Sequence, residues 1–370
     1  MTLETRAWRH FDYPLIIGTF ALLGLGVVMI FSATQSSADG IRVTPLVIRH
    51  LAYLGIGTCC LFLFAFTDYR GLSSLAYPLY GIGLLALVIV LLLGRMQFGS
   101  TRWINLFDLI QIQPSEPVKL ATILALARFF STHRDSIHRP RTIALSLAIA
   151  GVPAFLVVVE PDLGTSLVYW AIWAGLAFIA GVPLRYFLIL GVGAAGLARL
   201  IWPAVPKYMQ DRLTIFLDPE ADPTGQGYNI IQAAISVGSG GLFGRGFLSG
   251  TQSQLEFLRV RYADFIFSVL AEELGFIGAG VLFALVTIVV VRGLRAAALA
   301  SEPFGRLITV GIVTMLLFQF LVNVGMNVRL LPVTGIPLPL ISYGGSSLIT
   351  FLAGIGLVQS ITMRHQKLDF

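Results

Sequence analysis

The chain reads as an all-α polytopic membrane protein with about ten transmembrane helices, and three observations carry that reading. Hydrophobic residues fill 56% of its 370 positions and charged residues only 12%, against the roughly 25% charged residues of a soluble domain. Mean hydropathy is +0.84. Apolar runs near the roughly 20 residues needed to cross a bilayer recur along its length. So few charges cannot coat a soluble fold of this size, and that class is excluded.

Charge-free stretches give the spans in order. Tyr13 to Phe31 is the first; it is too long for the h-region of a cleaved signal and is expected to remain in the mature protein. Leu46 to Phe66, Leu72 to Leu93, Thr142 to Val159, Leu163 to Ala180, Leu274 to Val291, Leu307 to Val328 and Ser346 to Met363 are equally clear. Two weaker spans join them: Pro117 to Phe130, with Lys119 and Arg128 near its ends, and Tyr186 to Pro206, interrupted by Arg199. Charge asymmetry decides both. With them included, Lys and Arg concentrate on the side of the N-terminus, which makes both termini cytoplasmic. Without Pro117 to Phe130, Arg128, Arg134, Arg139 and Arg141 fall across the membrane from Arg6 and Arg9, and the bias dissolves. The whole chain, 1–370, is read as one integral membrane unit.

The net charge of +6 does not signal a nucleic-acid partner, because the basic residues are scattered singly between apolar runs. Cys59 and Cys60 are adjacent inside a span, where neither a disulfide framework nor zinc-ligand spacing can be built.

Two polar segments break the apolar pattern. The outward stretch 207–264, between the seventh and eighth helices, is too long for a connector and is expected to be a functional loop. It holds the acidic turn Asp218 to Pro223, then Tyr228 to Val237, where Ile230, Ile231, Ala234 and Ile235 recur at helical spacing; that helix is expected on the membrane surface. The glycine-rich run Gly238 to Gly246 either turns tightly or cradles a phosphate, and the lack of a P-loop pattern favours the turn. Before the last helix, Pro332, Pro337 and Pro339 lead into Ser342-Tyr343-Gly344-Gly345-Ser346. Non-helical backbone at membrane depth must be buried in protein or line a cavity, so a re-entrant segment is expected there.

Of the 19 Asp and Glu residues, only Glu4, Asp12, Asp68, Asp135, Glu302 and Asp369 fall on the cytoplasmic side. The chemistry therefore faces outward. Glu116, Glu160, Asp162, Asp264, Glu272 and Glu273 lie at span edges or inside spans, where an ionised group costs a few kcal/mol unless paired or wetted. Glu116 and Lys119 share one helix face: they form a plain intrahelical ion pair, or Glu116 holds the Lys119 ammonium for a phosphate. Arg102 and Trp103 are an interfacial anchor pair or a sugar and phosphate contact, and Arg199 snorkels to the headgroups. Asp264 opens the eighth helix as a cap or as a catalytic acid. Glu272, about 12 Å further along, is the one of the deep pair able to approach the same face, and structural hydrogen bonding is an equal reading for both. There is no S-x-x-K, H-E-x-x-H, Walker sequence or G-x-S-x-G, so nucleotide use and acyl-serine chemistry are not expected.

Five ordered motifs resemble the SEDS family (shape, elongation, division and sporulation) over nearly the whole chain. They are Arg102-Trp103-Ile104 with Gln113-Pro114-Ser115-Glu116 and Lys119; Pro161-Asp162-Leu163-Gly164-Thr165; Gly250 through Leu258; Asp264-Phe265-Ile266-Phe267 with Ala271-Glu272-Glu273-Leu274-Gly275; and Pro337-Leu338-Pro339 with Ser342 to Ser346. The Gly250-Thr251-Gln252-Ser253-Gln254 stretch tilts the resemblance to the RodA branch over the FtsW branch. It implies a peptidoglycan glycosyltransferase polymerising lipid II on the outer face of the bacterial cytoplasmic membrane. A class B penicillin-binding transpeptidase is the implied partner. The family's essential aspartate matches Asp264. Where family members read Leu-Pro-Glu, two variable residues and Thr before it, this chain has Arg259, Val260 and Ala263 in place of Pro, Glu and Thr.

The expected catalytic residue is Asp264, as general base. Expected substrate contacts are Lys119, Glu116, Arg102, Trp103, Asp162, Arg212, Gln252, Gln254 and Ser342. A divalent cation, Mg or Mn, is left open. A lipid II flippase or a non-catalytic scaffold for the transpeptidase are the competing readings; the first needs polar residues through both membrane halves, the second harmless neutralisation of the acids.

Overall fold

The computed structural model describes residues 10–35, 42–93, 95–97, 100–106, 110–222, 225–255, 257–258 and 260–364; the side chains of 93–110, 208, 226 and 253 lie outside the description. The helices are α1 (Tyr13–Ala33), α2 (Pro45–Phe66), α3 (Leu72–Leu93), α4 (Ser115–Thr132), α5 (Pro140–Val159), α6 (Leu163–Ala180), α7 (Leu184–Ile201), α8 (Lys207–Leu217), α9 (Gln226–Ser239), α10 (Thr251–Gln254), α11 (Ile266–Leu299), α12 (Pro303–Asn327) and α13 (Gly345–Met363). Among the described residues, nine of these are long and apolar enough to cross a bilayer: α1–α3, α5–α7 and α11–α13. The tenth, α4, has 18 residues, about 27 Å of helix. It carries Glu116, Lys119 and Arg128, yet it packs on α3, α5, α6, α12 and α13 in the middle of the bundle.

Burial sorts the bundle into a core and a lipid-facing ring. The apolar windows of α13 and α12 are 94% and 78% buried, those of α3 and α7 17% and 0%. Ile82, Val192, Leu200 and Phe276 lie on the outside, as expected where lipid tails replace water. At the end carrying the N-terminus, Asp12 caps α1 by accepting the Leu15 N–H and takes the Arg292 guanidinium through both oxygens, at 2.9 Å from Nε and 2.8 Å from Nη2. That pair ties the start of α1 to the far end of α11.

The connections at the end of the bundle opposite the N-terminus hold more structure than the sequence pattern showed. Between α3 and α4 lies an antiparallel three-stranded sheet of β1 (Arg95–Gln97), β2 (Ser100–Leu106) and β3 (Ile110–Ile112) in the order β1-β2-β3. Pairs include Arg95 with Trp103 and Ile104 with Ile112. In the long loop, α9 extends the expected helix at both ends and buries Gly227, Ile230, Ala233, Ser236 and Gly240. It packs on α11 and α12 through Ile230 and Ala233, while Ile235 stays exposed.

α11 is 34 residues long and is broken at Gly275 (φ 65°, ψ −161°), so the expected span from Leu274 is its second half. A broken helix leaves orphan N–H and C=O groups that cannot stay unpaired in a membrane. The glycine-rich run satisfies them: Phe276 and Ile277 N–H donate to Gly241 and Leu242 carbonyls, and Arg245 and Gly246 N–H donate to Glu272 and Glu273 carbonyls. Gly244 sits at φ +80° with a Cβ position only 2.1 Å from the Glu273 oxygen, so no side chain fits. The run is a clasp on the helix break, which realises the tight-turn reading.

Candidate functional site

Four segments meet at the end of the bundle opposite the N-terminus: the starts of α4, α6 and α11, and the re-entrant stretch between α12 and α13. Pro114 precedes α4, and one turn in, the Lys119 ammonium straddles the Glu116 carboxylate at 2.8 Å from each oxygen. Both side chains are nearly sealed, at 1% and 3% exposure. The intrahelical pair therefore exists. Nζ donates to Oε1, while Oε2 is buried at ion-pair distance without a hydrogen bond of its own.

Asp162 caps α6, accepting the Thr165 N–H and hydroxyl, and it also accepts from Gln113 Nε2 at 3.4 Å. Gln113 N–H in turn donates to Ser346 Oγ, the first turn of α13. The start of α6 touches the re-entrant stretch: a Cβ on Gly164 would lie 2.4 Å from the Thr334 oxygen. That same oxygen accepts from Arg212 Nη1 of α8 at 3.5 Å.

Asp264 stands next to this junction. It is half-buried, and the cap position of α11 belongs to Phe265, not to Asp264. Its Oδ2 is 3.9 Å from the Cβ position of Gly335, a residue at φ +74°. Three successive carbonyls pin it. Tyr262 O accepts the Tyr343 N–H at 2.9 Å, Ala263 O accepts the Ser342 hydroxyl at 2.6 Å, and Asp264 O accepts Asn323 and Asn327 Nδ2 at 3.1 and 3.0 Å. The main chain is thus held at three successive residues.

The structure thus brings Asp162, Arg212 and Asp264 together around Gly164 and Thr334-Gly335, with Gln113 leading from Asp162 into α4, where Glu116 and Lys119 are sealed against each other. It gives Ser342 a structural role, since its oxygen also accepts the Leu338 N–H. Gln252 and Gln254 sit elsewhere: Gln252 N–H and the Thr251 hydroxyl donate to Glu272 Oε1, and Gln254 Nε2 donates to Ser32 O of α1. Glu273 Oε1 accepts from Ser32 Oγ. The deep carboxylates therefore hold the loop and α1. Arg102 and Trp103 lie on β2, whose neighbour β3 runs directly into Gln113; their side chains, and all of Arg259, lie outside the described residues. Among the described residues no group of three or more His, Cys, Asp or Glu side chains is placed to hold a metal.

Sequence reading named Gln113 only as part of a motif and passed over Thr334, Asn323 and Asn327. The last two carried a usable signal, because two amides one turn apart inside an apolar span are costly there unless they bond something specific.

The profile of the FtsW, RodA and SpoVE family, described as cell cycle proteins, matches residues 13–367. The peptidoglycan glycosyltransferase MrdB of Escherichia coli K12 is 38% identical over 362 residues, covering 97% of this chain and 95% of that protein. RodA of Treponema pallidum, also named a peptidoglycan glycosyltransferase, is 31% identical over 98% of this chain and all of its own length. A chain from a structure of a peptidoglycan synthase complex, concerned with the coordination of polymerization and crosslinking, superposes with TM-score 0.81 at 36% identity, covering 96% of this chain and 98% of its own. The crystal structure of Thermus thermophilus RodA gives TM-score 0.71 at 33% identity, covering 96% and 98%. This polytopic membrane protein belongs to the FtsW, RodA and SpoVE family.

Proposed function

We propose that the chain is a peptidoglycan glycosyltransferase that joins lipid II units into glycan strands during cell elongation, at the outer face of the bacterial cytoplasmic membrane. The observation that carries the reading is the setting of Asp264, a half-buried carboxylate with its main chain pinned at three carbonyls beside the Arg212–Thr334 contact. In the reaction, the 4-hydroxyl of the acceptor sugar attacks the anomeric carbon of the donor. The bond from that carbon to the diphosphate breaks, the diphosphate leaves on its prenyl chain, and the hydroxyl proton passes to Asp264 as general base.

Lys119, held by Glu116, and Arg212 supply the positive charge that a departing diphosphate requires. Asp162 shapes the mouth through Thr165 and Gln113. Arg102 and Trp103, on β2, remain the further candidates for contact with the sugar and diphosphate. Gln254 and Ser342 hold the backbones of Ser32 and Ala263, and Gln252 keeps its side-chain oxygen for a further contact. No step is routed through a metal. A class B penicillin-binding transpeptidase is the partner this activity calls for, in keeping with the synthase complex that contains the similar chain. Arg70, Arg128, Arg134, Arg292 and Arg306 gather at the end of the bundle that carries the N-terminus, which supports cytoplasmic termini.

The test is to reconstitute the full chain, with and without the transpeptidase, in vesicles holding labelled lipid II. Glycan chains longer than the disaccharide support the reading. Movement of lipid II across the bilayer with no chains formed overturns it in favour of a flippase.

A further inference from the structure

We infer that Asn323 and Asn327 of α12 are positioning residues for Asp264: their amides join the main chain of Asp264 to that of the re-entrant segment and so set where its carboxylate stands. The inference rests on Asp264 being the catalytic carboxylate.

Both asparagines are fully buried in an otherwise apolar helix, one turn apart on one face. A leucine at either position would suit the bundle core better, since a primary amide there is costly unless its donors and acceptor are matched. They are matched in a way that only an amide allows. Asn323 uses its Nδ2 donors on two backbones, Asp264 O at 3.1 Å and Ile336 O at 2.8 Å. Asn327 Nδ2 donates to Asp264 O at 3.0 Å and Asn323 O at 2.8 Å. Its Oδ1 accepts the Ser268 hydroxyl and N–H at 2.6 and 3.3 Å. An aspartate would bring acceptors where donors are required, and a serine offers one donor in place of two.

The geometry says what the clamp controls. Ile336 follows Gly335, the residue whose Cβ position lies 3.9 Å from Asp264 Oδ2. Asn323 therefore bridges the two backbones that face each other across the carboxylate, and its length fixes the gap between them. Asn327 adds the first turn of α11 through Ser268. The Ser342 and Tyr343 bonds hold residues 263 and 262, but neither reaches residue 264. Removing the two amides takes two hydrogen bonds from the Asp264 carbonyl, and a misplacement of about 1 Å at a reacting group costs on the order of a hundredfold in rate.

The experiment is steady-state polymerisation of purified lipid II by the full chain bound to its transpeptidase, comparing Asn323→Leu with wild type, Asp264→Asn and Arg292→Ala. Arg292→Ala loosens the fold at the opposite end and serves as the measure of what instability alone does. Asn323→Leu is expected to keep its partner and its KM for lipid II within about twofold while kcat falls at least tenfold. Should that variant not fold, Asn327→Ser removes donors to Asp264 while keeping a hydroxyl near Ser268, and the same split in kcat is expected. Wild-type kcat in the folded variant, or an equal fall in Arg292→Ala, overturns the positioning role. If Asp264→Asn itself turns over normally, the general-base reading fails first; if it is inactive and Asn323→Leu is fully active, only the positioning role fails.

Discussion

Replacing Lys119 by Met separates what the buried pair does for the fold from what it does for the reaction. The ammonium lies 2.8 Å from both oxygens of Glu116, and the two side chains are 1% and 3% exposed. Met fills the lysine volume and leaves Glu116 charged and sealed. Breaking a buried pair in this way costs about 3–5 kcal/mol, which is roughly a hundred- to several-thousand-fold in the ratio of folded to unfolded protein. The double variant Lys119→Met with Glu116→Leu removes both charges, and stability should return to near wild type because a buried pair and a well-packed apolar pair are close in energy. Turnover should not return. A cation facing a departing diphosphate is worth about 10²–10³ in rate, and neither variant has it. Thermal unfolding of the purified chain gives the first quantity and chain formation from lipid II the second. Recovery of turnover in the double variant would refute the catalytic part of the reasoning; a single variant as stable as wild type would refute the structural part.

Two further outcomes test the broken helix. Gly244→Ala should lower the melting temperature far more than Gly246→Ala: both have positive φ, with a strain of about 1–2 kcal/mol for an L-residue, but the added methyl meets the Glu273 oxygen at 2.1 Å in the first and nothing closer than 3.6 Å in the second. Equal losses would mean that the clasp is not closely packed on α11. Glu273 is 1% exposed, accepts from Ser32 and has no ion pair among the described residues. Glu273→Gln keeps the acceptor without the buried charge and should leave stability unchanged or slightly higher, whereas Glu273→Ala orphans the Ser32 hydroxyl and should cost about 1–3 kcal/mol in an unfolding titration. A large loss in the glutamine variant would show that the charge itself is needed.

The spans were legible because a helix in lipid must hide its backbone and present apolar side chains for about 20 residues, and that signal survives any tertiary detail. α4 was recovered only through the arginines that follow it, since its own composition is broken by Glu116 and Lys119. The Glu116–Lys119 pair was legible from spacing alone. The break in α11 was not: Gly275 lies at the start of a charge-free run, where it passes for an ordinary membrane glycine, and only the carbonyls of Gly241 and Leu242 reveal why it is there. Placing Glu272 by continuous helical rise led towards the Asp264 face, while its carboxylate in fact serves Thr251 and Gln252. The outer strands β1 and β3 left no periodicity, because strands of three residues are shorter than any pattern window. Asn323 and Asn327 were overlooked because the span around them was read for apolarity and not for its exceptions. Gln252 and Gln254 entered through family resemblance, which marks a motif without saying whether it touches substrate or holds the loop.

The central claim is that one outward-facing carboxylate takes the proton in sugar transfer, and the most direct measurement is the rate of glycan formation by Asp264→Asn. The amide keeps the size of the side chain and leaves the main-chain bonds of Asp264 to Asn323 and Asn327 in place, so folding and partner binding should match wild type. The account predicts that this variant, purified with its transpeptidase and supplied with lipid II, makes chains at least a hundredfold more slowly at every pH. A rate within a few fold of wild type from the same folded complex would contradict it.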